Sequence, residues 1–288
     1  MVCPGLHSIF KGFRVASIAD EGNLEPLRFQ VTRMRSRLVT MLVRGGGWEG
    51  SLEALVRPEP QGQVDSQTLA QHIEPDEFEG ARALVVGGSR GLGELVARSI
   101  AAGGGDVTVT YSVGEQDARL VQSEIQRHGG RCALARLDVR GDVEAYVRSI
   151  RMLPNQVYYM ATPPIFSRQS ERFDYERFDM FCKFYVKGFY DAYREICAKA
   201  QRIPSFFYPS SEAVQTRPKG MTEYAMAKAA GEMLCADLQA SEKTGAVVVE
   251  RLPRLPTDQT ASLLEVETGD PIDILLPVIR RVNRARSD

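Results

Sequence analysis

Ala83-Leu-Val-Val-Gly-Gly-Ser-Arg-Gly-Leu-Gly93 decides how this chain folds. Its first four residues read as a short buried strand, and four glycines follow within the next seven positions. Leu92, Leu95, Val96, Ser99 and Ile100 then recur at helical spacing until Gly103-Gly-Gly105 stops the helix. A strand, a glycine turn and a helix in that order open a β-α-β unit, the context in which a Gly-rich string gains meaning. Gly87, Gly91 and Gly93 suit a tight turn that needs positive φ or a missing Cβ, with Ser89, Arg90 and Leu92 completing the loop. The helix N-terminus adds amide donors and a partial positive charge, a ready site for a pyrophosphate. A plain strand-to-helix turn is the bland alternative, and this density of glycines argues against it.

The same rhythm continues downstream. Val107 to Tyr111 reads as a second strand, Ala118 to His128 as a helix closed by Gly129-Gly130, and Cys132 to Leu137 as a third strand. Gln156 to Ala161 is a fourth strand, Phe173 to Gln201 a long helix and Ser205 to Ser210 a fifth strand. Glu223 to Glu242 is another helix and Ala246 to Glu250 a sixth strand. Alternation of this kind predicts an α/β fold, a Rossmann-type doubly wound parallel sheet with helices on both faces.

Residues 1–76 break the rhythm. Leu27 to Met34 alternates with period two, as does part of Arg37 to Val43, Gly45-Gly-Gly47 signals a turn, and Ser51 to Val56 resumes a strand. We expect a short helix around Leu6 to Phe13, then a small antiparallel meander, then a linker from Pro58 to Asp76 rich in Gln, Pro, Glu and Asp. The boundary falls near Glu77, leaving 77–288 as the dinucleotide-binding domain.

Bulk properties narrow the function. A 43% hydrophobic fraction is enough for a sizeable core, and a net charge of −1 gives no reason to expect nucleic acid or an anionic membrane as partner. No apolar run approaches the roughly 20 residues that span a bilayer. The start, Met1-Val-Cys-Pro-Gly-Leu-His, lacks a basic region followed by an apolar one, so no secretory signal is expected. Cys3, Cys132, Cys182, Cys197 and Cys235 are scattered, which suits reduced thiols in a cytoplasmic protein. His7, His72 and His128 lie far apart, and no metal site is expected.

Tyr224-Ala-Met-Ala-Lys228 carries the chemistry, with Ser211 thirteen residues ahead of the tyrosine. Tyr224 and Lys228 are i and i+4 on one helix and share a face. A free tyrosine, with pKa near 10, is a poor acid–base catalyst at neutral pH, and a neighbouring cation stabilises its phenolate. Ser211 follows the fifth strand, at the carboxyl edge where open α/β sheets bind ligands, and the spacing favours it over Ser210. An accidental packing set is the alternative. The end of the second strand bears on cofactor choice: Tyr111-Ser112-Val113 offers no acid to a ribose 2′-hydroxyl before Glu115. Arg90 would suit a 2′-phosphate unless it is merely a solvated charge, and the expected cofactor is therefore NADP(H).

With these motifs together, residues 81–262 resemble the short-chain dehydrogenase/reductase superfamily, and the Val86–Gly93 loop is especially similar to that of 3-oxoacyl-thioester reductases. The resemblance implies hydride transfer to a carbonyl carbon, with Tyr224 giving the proton, Lys228 binding the nicotinamide ribose and tuning the tyrosine, and Ser211 orienting the carbonyl. It also implies an adenine contact at Asp138 and Val139, a cofactor contact at Ala161, and nicotinamide contacts at Pro253 and Thr257. The chain departs from the family pattern in several places. Val86 stands for the common Thr, Tyr159-Met-Ala-Thr162 for Asn-Asn-Ala-Gly, and Tyr185 for the asparagine that relays protons from the lysine through a water. Glu232 resembles the extended branch that includes sugar epimerases, although only some 60 residues follow Tyr224. The N-terminal segment faintly resembles part of a hot-dog acyl-thioester dehydratase and lacks the Asp-x-Asn-Pro-x-His string of such hydratases.

The expected function is NADPH-dependent reduction of a ketone, with a 3-oxoacyl thioester as the expected substrate class. A secondary-alcohol dehydrogenase and a nucleotide-binding regulator with little turnover remain as alternatives, and the substrate pocket is expected from Thr257 to Asp273. Tyr175, Phe178, Phe181, Phe184, Tyr185, Phe189, Tyr190 and Tyr193 crowd the long helix, where core and subunit contacts outweigh a cofactor box. The family commonly pairs its helices across a two-fold axis, which implies a homodimer or homotetramer.

Overall fold

A computed structural model describes residues 8–18, 26–35, 37–56, 64, 66–141, 143–165, 172–240, 246–257 and 269–285. The chain divides into two compact units, the second beginning at residue 62.

The first unit is an antiparallel sheet of β1 (Ser8–Ser17), β2 (Arg28–Arg35), β3 (Leu38–Gly45) and β4 (Trp48–Val56), in the order β1-β4-β3-β2. Gly46 and Gly47 join β3 to β4 with φ of +58° and +78°, the positive angles that a two-residue hairpin turn of type I′ demands. The expected helix at Leu6 to Phe13 is overturned, since Ser8 onward is strand; Leu6 and His7 lie outside the described residues. The error has a cause. A bulge between Phe10 and Gly12 sets Phe10 opposite Ala54 and Phe13 opposite Leu52, so residues three apart share one sheet face. That spacing is also the spacing of a helix face. A second bulge does the same for Val31 and Met34, opposite Met41 and Val39. The register gathers Phe10, Phe13, Val31, Met34, Met41 and Leu52 on one face and Arg14, Arg33, Glu53 and Thr40 on the other.

The second unit carries the parallel sheet. Its elements are α1 (Ser66–Leu69), β5 (Arg82–Val86), α2 (Gly91–Ala102), β6 (Asp106–Tyr111), α3 (Glu115–Arg127), β7 (Arg131–Arg136), α4 (Val143–Ser149) and β8 (Gln156–Tyr159). Then come α5 (Tyr175–Cys182), a π-helical segment (Lys183–Gly188), α6 (Phe189–Lys199), β9 (Ser205–Ser211), α7 (Ala213–Thr216), α8 (Thr222–Ala240), β10 (Val247–Leu252) and α9 (Pro271–Ala285). The strand order is β10-β9-β8-β5-β6-β7, all parallel. The order reverses between β5 and β8, and ligands of such sheets bind in the crevice at that switch point. Alternate strand residues feed two cores: Val85, Tyr158 and Phe207 on one face, and Leu84, Val86, Val157, Tyr159, Phe206 and Tyr208 on the other.

Three further differences from expectation are physical. The later part of the expected linker packs on the second unit instead: Leu69 and Ile73 join its core beside Phe78, the second residue after the expected boundary, whose amide donates to the Gly103 carbonyl at 2.7 Å. The long helix is interrupted, because the Tyr159 hydroxyl donates to the Phe184 carbonyl at 2.7 Å and competes with the helical ladder there. Gly188 sits so close that a Cβ would lie 2.6 Å from that hydroxyl. Finally, the sequence reading does not anticipate α4 and α9: α4 spans only seven residues, and α9 carries Pro277 inside it, a residue that argues against a helix interior.

Candidate active site

The glycine loop leaves β5 at Val86 and enters α2 at Gly91. Gly87 has φ +82°, and a Cβ there would lie 2.9 Å from the Ala161 backbone. A Cβ on Gly93 would lie 2.3 Å from the Gly87 carbonyl oxygen. Both positions therefore require glycine for close backbone approach. Thr110 ties the loop to β6, its hydroxyl accepting from the Gly87 amide at 3.1 Å and its carbonyl from the Gly88 amide at 3.0 Å. No side chain caps α2 at its Arg90 N-cap, so the first-turn amides are free of a side-chain acceptor and suit an anion. Ser89 and Arg90 border this cradle, Arg90 fully extended and exposed. Gly91 faces Thr257, whose side chain would be 3.7 Å from an added Cβ.

Tyr111 ends β6, and its carbonyl accepts from the Leu137 amide at 2.9 Å. Ser112 follows it and bonds the Asp138 carboxylate. That carboxylate is already engaged by Arg140, with Nε at 3.0 Å and a terminal nitrogen at 2.7 Å. The Arg140 guanidinium holds it below the usual carboxylate range. Val139 is buried beside it.

At the carboxyl end of β9, Ser211 accepts from the Ala213 amide at 3.2 Å and bonds the Tyr224 hydroxyl. Ser210 points elsewhere: its hydroxyl donates to Glu232 at 2.5 Å, and Arg251 grips the same carboxylate at 2.8 and 2.7 Å. Glu232 thus ties α8 to β9 and β10 and is held below its ordinary pKa, chiefly by Arg251. Pro253 follows Leu252, which pairs with Ser211. Tyr224 is buried, its ring edge-on to Phe181 at 5.6 Å and to Tyr185 at 5.7 Å. Burial pushes its phenol up, and the bond to Ser211 opposes that.

Lys228 is also buried, and its ammonium donates to the Pro209 carbonyl at 2.5 Å. Desolvation lowers its pKa to about 7, with Cys235 and Glu232 opposing the fall. Between the glycine loop and the Ser-Tyr-Lys trio runs β8. After it, Ala161 meets Gly87, and the Thr162 hydroxyl lies 2.6 Å from that of Tyr185. The trio and the loop thus lie at the carboxyl ends of β9 and β5, with the end of β8 between them. Sequence reading marks Thr162 and Tyr185 only as departures from the family pattern and Glu232 only by its place four residues after Lys228, and it gives Arg251 no part in this site. The substrate stretch expected from Thr257 to Asp273 falls largely outside the described residues. Among the described residues no cluster of His, Cys, Asp or Glu is arranged to hold a metal, and no helix is long and apolar enough to cross a membrane.

The model of the family described as short chain dehydrogenase matches residues 81–260. No curated protein matches the chain. Among solved structures it is similar to a dehydrogenase/reductase from Sinorhizobium meliloti, at 22% identity and TM-score 0.62, covering 75% of this chain and 92% of that one. A short chain dehydrogenase from Burkholderia cenocepacia, in complex with NADP, gives 22% identity and TM-score 0.62 over 73% of this chain and 94% of that one. An oxidoreductase from E. coli gives 18% and 0.63 over 74% and 93%.

Proposed function

This chain belongs to the short-chain dehydrogenase family, NAD(P)-dependent oxidoreductases, and from that premise we propose that it reduces a ketone with NADPH. The observation that carries the reading is the bond of Ser211 to Tyr224 near buried Lys228, at the end of β9 and with only β8 between it and β5, which carries the glycine cradle. The cradle suits a dinucleotide: the glycines let the loop turn tightly against Ala161 and the start of α2, whose N-cap residue makes no side-chain cap bond. Gly87, Ser89, Arg90, Gly91, Leu92 and Gly93 would hold the pyrophosphate and the 2′-phosphate. Ala161, Pro253 and Thr257 would line the nicotinamide, and Tyr111, Ser112, Asp138 and Val139 the adenosine end. When bound, the cofactor supplies the hydride.

The protein's own residues handle the oxygen and its proton. Ser211 orients the carbonyl by donating to its oxygen. Tyr224 gives that oxygen a proton; burial raises its pKa and so opposes donation, while the bond to Ser211 works in the favourable direction. Lys228, when charged, stabilises the phenolate left behind. A 3-oxoacyl thioester is the proposed substrate class, supported by the similarity of the Val86–Gly93 loop to that of reductases acting on such ketones. Free cysteines at 132, 182, 197 and 235 support a cytoplasmic setting. The family's helix pairing supports a homodimer or homotetramer.

The test is NADPH oxidation against a panel holding a 3-oxoacyl thioester, a steroid ketone and a polyol-derived ketone. Preferential turnover of the thioester supports the reading. Turnover of another ketone instead moves the substrate class, and cofactor binding without turnover of any would mark a regulator.

A further inference from the structure

Lys228 is an ammonium in a buried place, and the groups around it are mostly aromatic. Tyr185 faces it from the π-helical segment, with the ring centroid 3.9 Å from Nζ. Tyr208 of β9 stands at 5.2 Å and Tyr224 of α8 at 5.9 Å. On α8 itself lie Cys235 and Glu232, and Arg251 of β10 occupies the Glu232 carboxylate from behind. Only the Tyr185 ring is in close face contact.

That ring is fixed on two sides. Its hydroxyl shares a 2.6 Å hydrogen bond with Thr162, and its face stacks on Phe181 at 5.7 Å with planes 11° apart. The residue is 1% exposed. The π-helical turn that presents it is a feature often found at functional sites, and here the Tyr159 hydroxyl on the Phe184 carbonyl gives it a specific cause.

We infer that Tyr185 is the positioning residue of Lys228, holding the ammonium against a ring face that its stack on Phe181 keeps in place. A desolvated cation over an aromatic face is attracted by the ring quadrupole, so the contact favours the charged lysine while burial opposes it. The ring thereby shares the holding of Lys228 with the Pro209 carbonyl, which accepts from the ammonium at 2.5 Å, since the Glu232 carboxylate is committed to Arg251 and Ser210. Only the catalytic consequence of this inference rests on the proposed function; the contact and its effect on the lysine do not.

The experiment reads Lys228 directly. In full-length protein carrying labelled lysine, the Lys228 signal is assigned by its loss in Lys228→Gln, and its titration is followed by NMR. Tyr185→Phe keeps the ring and leaves the midpoint within about 0.3 unit, whereas Tyr185→Leu lowers it by about one unit. Tyr185→pentafluorophenylalanine nearly preserves volume while inverting the ring quadrupole; it should lower the midpoint as Leu does and serves where Leu fails to fold. An unchanged midpoint in the fluorinated or Leu variant overturns the inference, as does a full shift in Tyr185→Phe, which would assign the effect to the hydroxyl. The pH profile of ketone reduction is recorded alongside, and its alkaline limb should follow the lysine midpoint downward. If no variant turns over any ketone yet the midpoints shift as stated, the proposed function fails and the inference stands.

Discussion

Phe78→Ala should destabilise the second unit by about 4 kcal/mol, although the residue lies just beyond the stretch whose composition suggests a linker. Phe78 is 0% exposed and sits in the core with Leu69, Ile73 and Ile100. Burying a Phe side chain is worth about 1.5–3 kcal/mol of transfer free energy. Removing the ring also leaves a cavity of roughly 100 Å³, which at about 24 cal/mol per Å³ adds about 2 kcal/mol. The structure supplies a control. A Cβ on Gly103 would lie 2.5 Å from the Phe78 ring, so Gly103→Ala alone overpacks and should cost about 1–3 kcal/mol. With the ring gone that methyl has room, and the double variant should cost less than the sum of the single ones. Urea denaturation followed by circular dichroism, with the urea dependence checked for constancy, gives all three values. A cost below about 1 kcal/mol for Phe78→Ala, or strict additivity with Gly103→Ala, would refute the packing argument.

The remaining expectations concern the site. Tyr224→Phe should remove most single-turnover ketone reduction and leave NADPH affinity nearly intact, because the phenol acts in the transition state while the glycine loop holds the cofactor; wild-type rates would take Tyr224 out of its role. NADPH should bind more tightly than NADH, and Arg90→Ala should narrow the gap by about 1.5–3 kcal/mol, the worth of a charge-assisted bond; equal affinities in the unaltered protein would sink this. Lys228→Met should stabilise the fold by several kcal/mol below pH 7, since there the folded state must bury a charged lysine whose pKa burial has lowered to about 7. The unfolded chain keeps its proton up to about pH 10.5, so the advantage fades as pH rises from 7 towards that value. Denaturation at pH 6 and pH 9 measures it, and an equal gain at both would be contrary.

The parallel sheet was legible because its signals are local. Leu84, Val85 and Val86, followed at once by Gly87, mark a strand end and a turn within a few residues. Tyr224 and Lys228 were legible for the same reason, their shared face being a property of one helix. The misreadings arose where a tertiary partner changes the local period. At β1 the bulge after Phe10 turns a two-residue period into a three-residue one, and only the pairing with β4 distinguishes it from a helix. The linker failed differently. Its polar residues are real, but Leu69 and Ile73 within it share a core with residues of α2 and α9, and α9 lies near the other end of the chain.

The aromatic-rich helix shows how far composition reaches into a site. Its spacing supports packing, and Phe181, Phe189 and Tyr193 do lie in the core, whereas Tyr175 is 81% exposed. Tyr185 packs as well, with its ring on Phe181, and in the same position it meets a cation brought by α8. Core contact and site contact are therefore one contact at this residue. Helical periodicity can place Tyr185 on the buried side, but the π-helical segment that shifts the helix phase there meets a hydroxyl from β8 on the Phe184 carbonyl. A strand residue thus contacts the segment whose aromatic reaches the lysine. The information is present in the chain, divided among Tyr159, Thr162, Tyr185 and Lys228, and it acts only once the sheet has brought those four together.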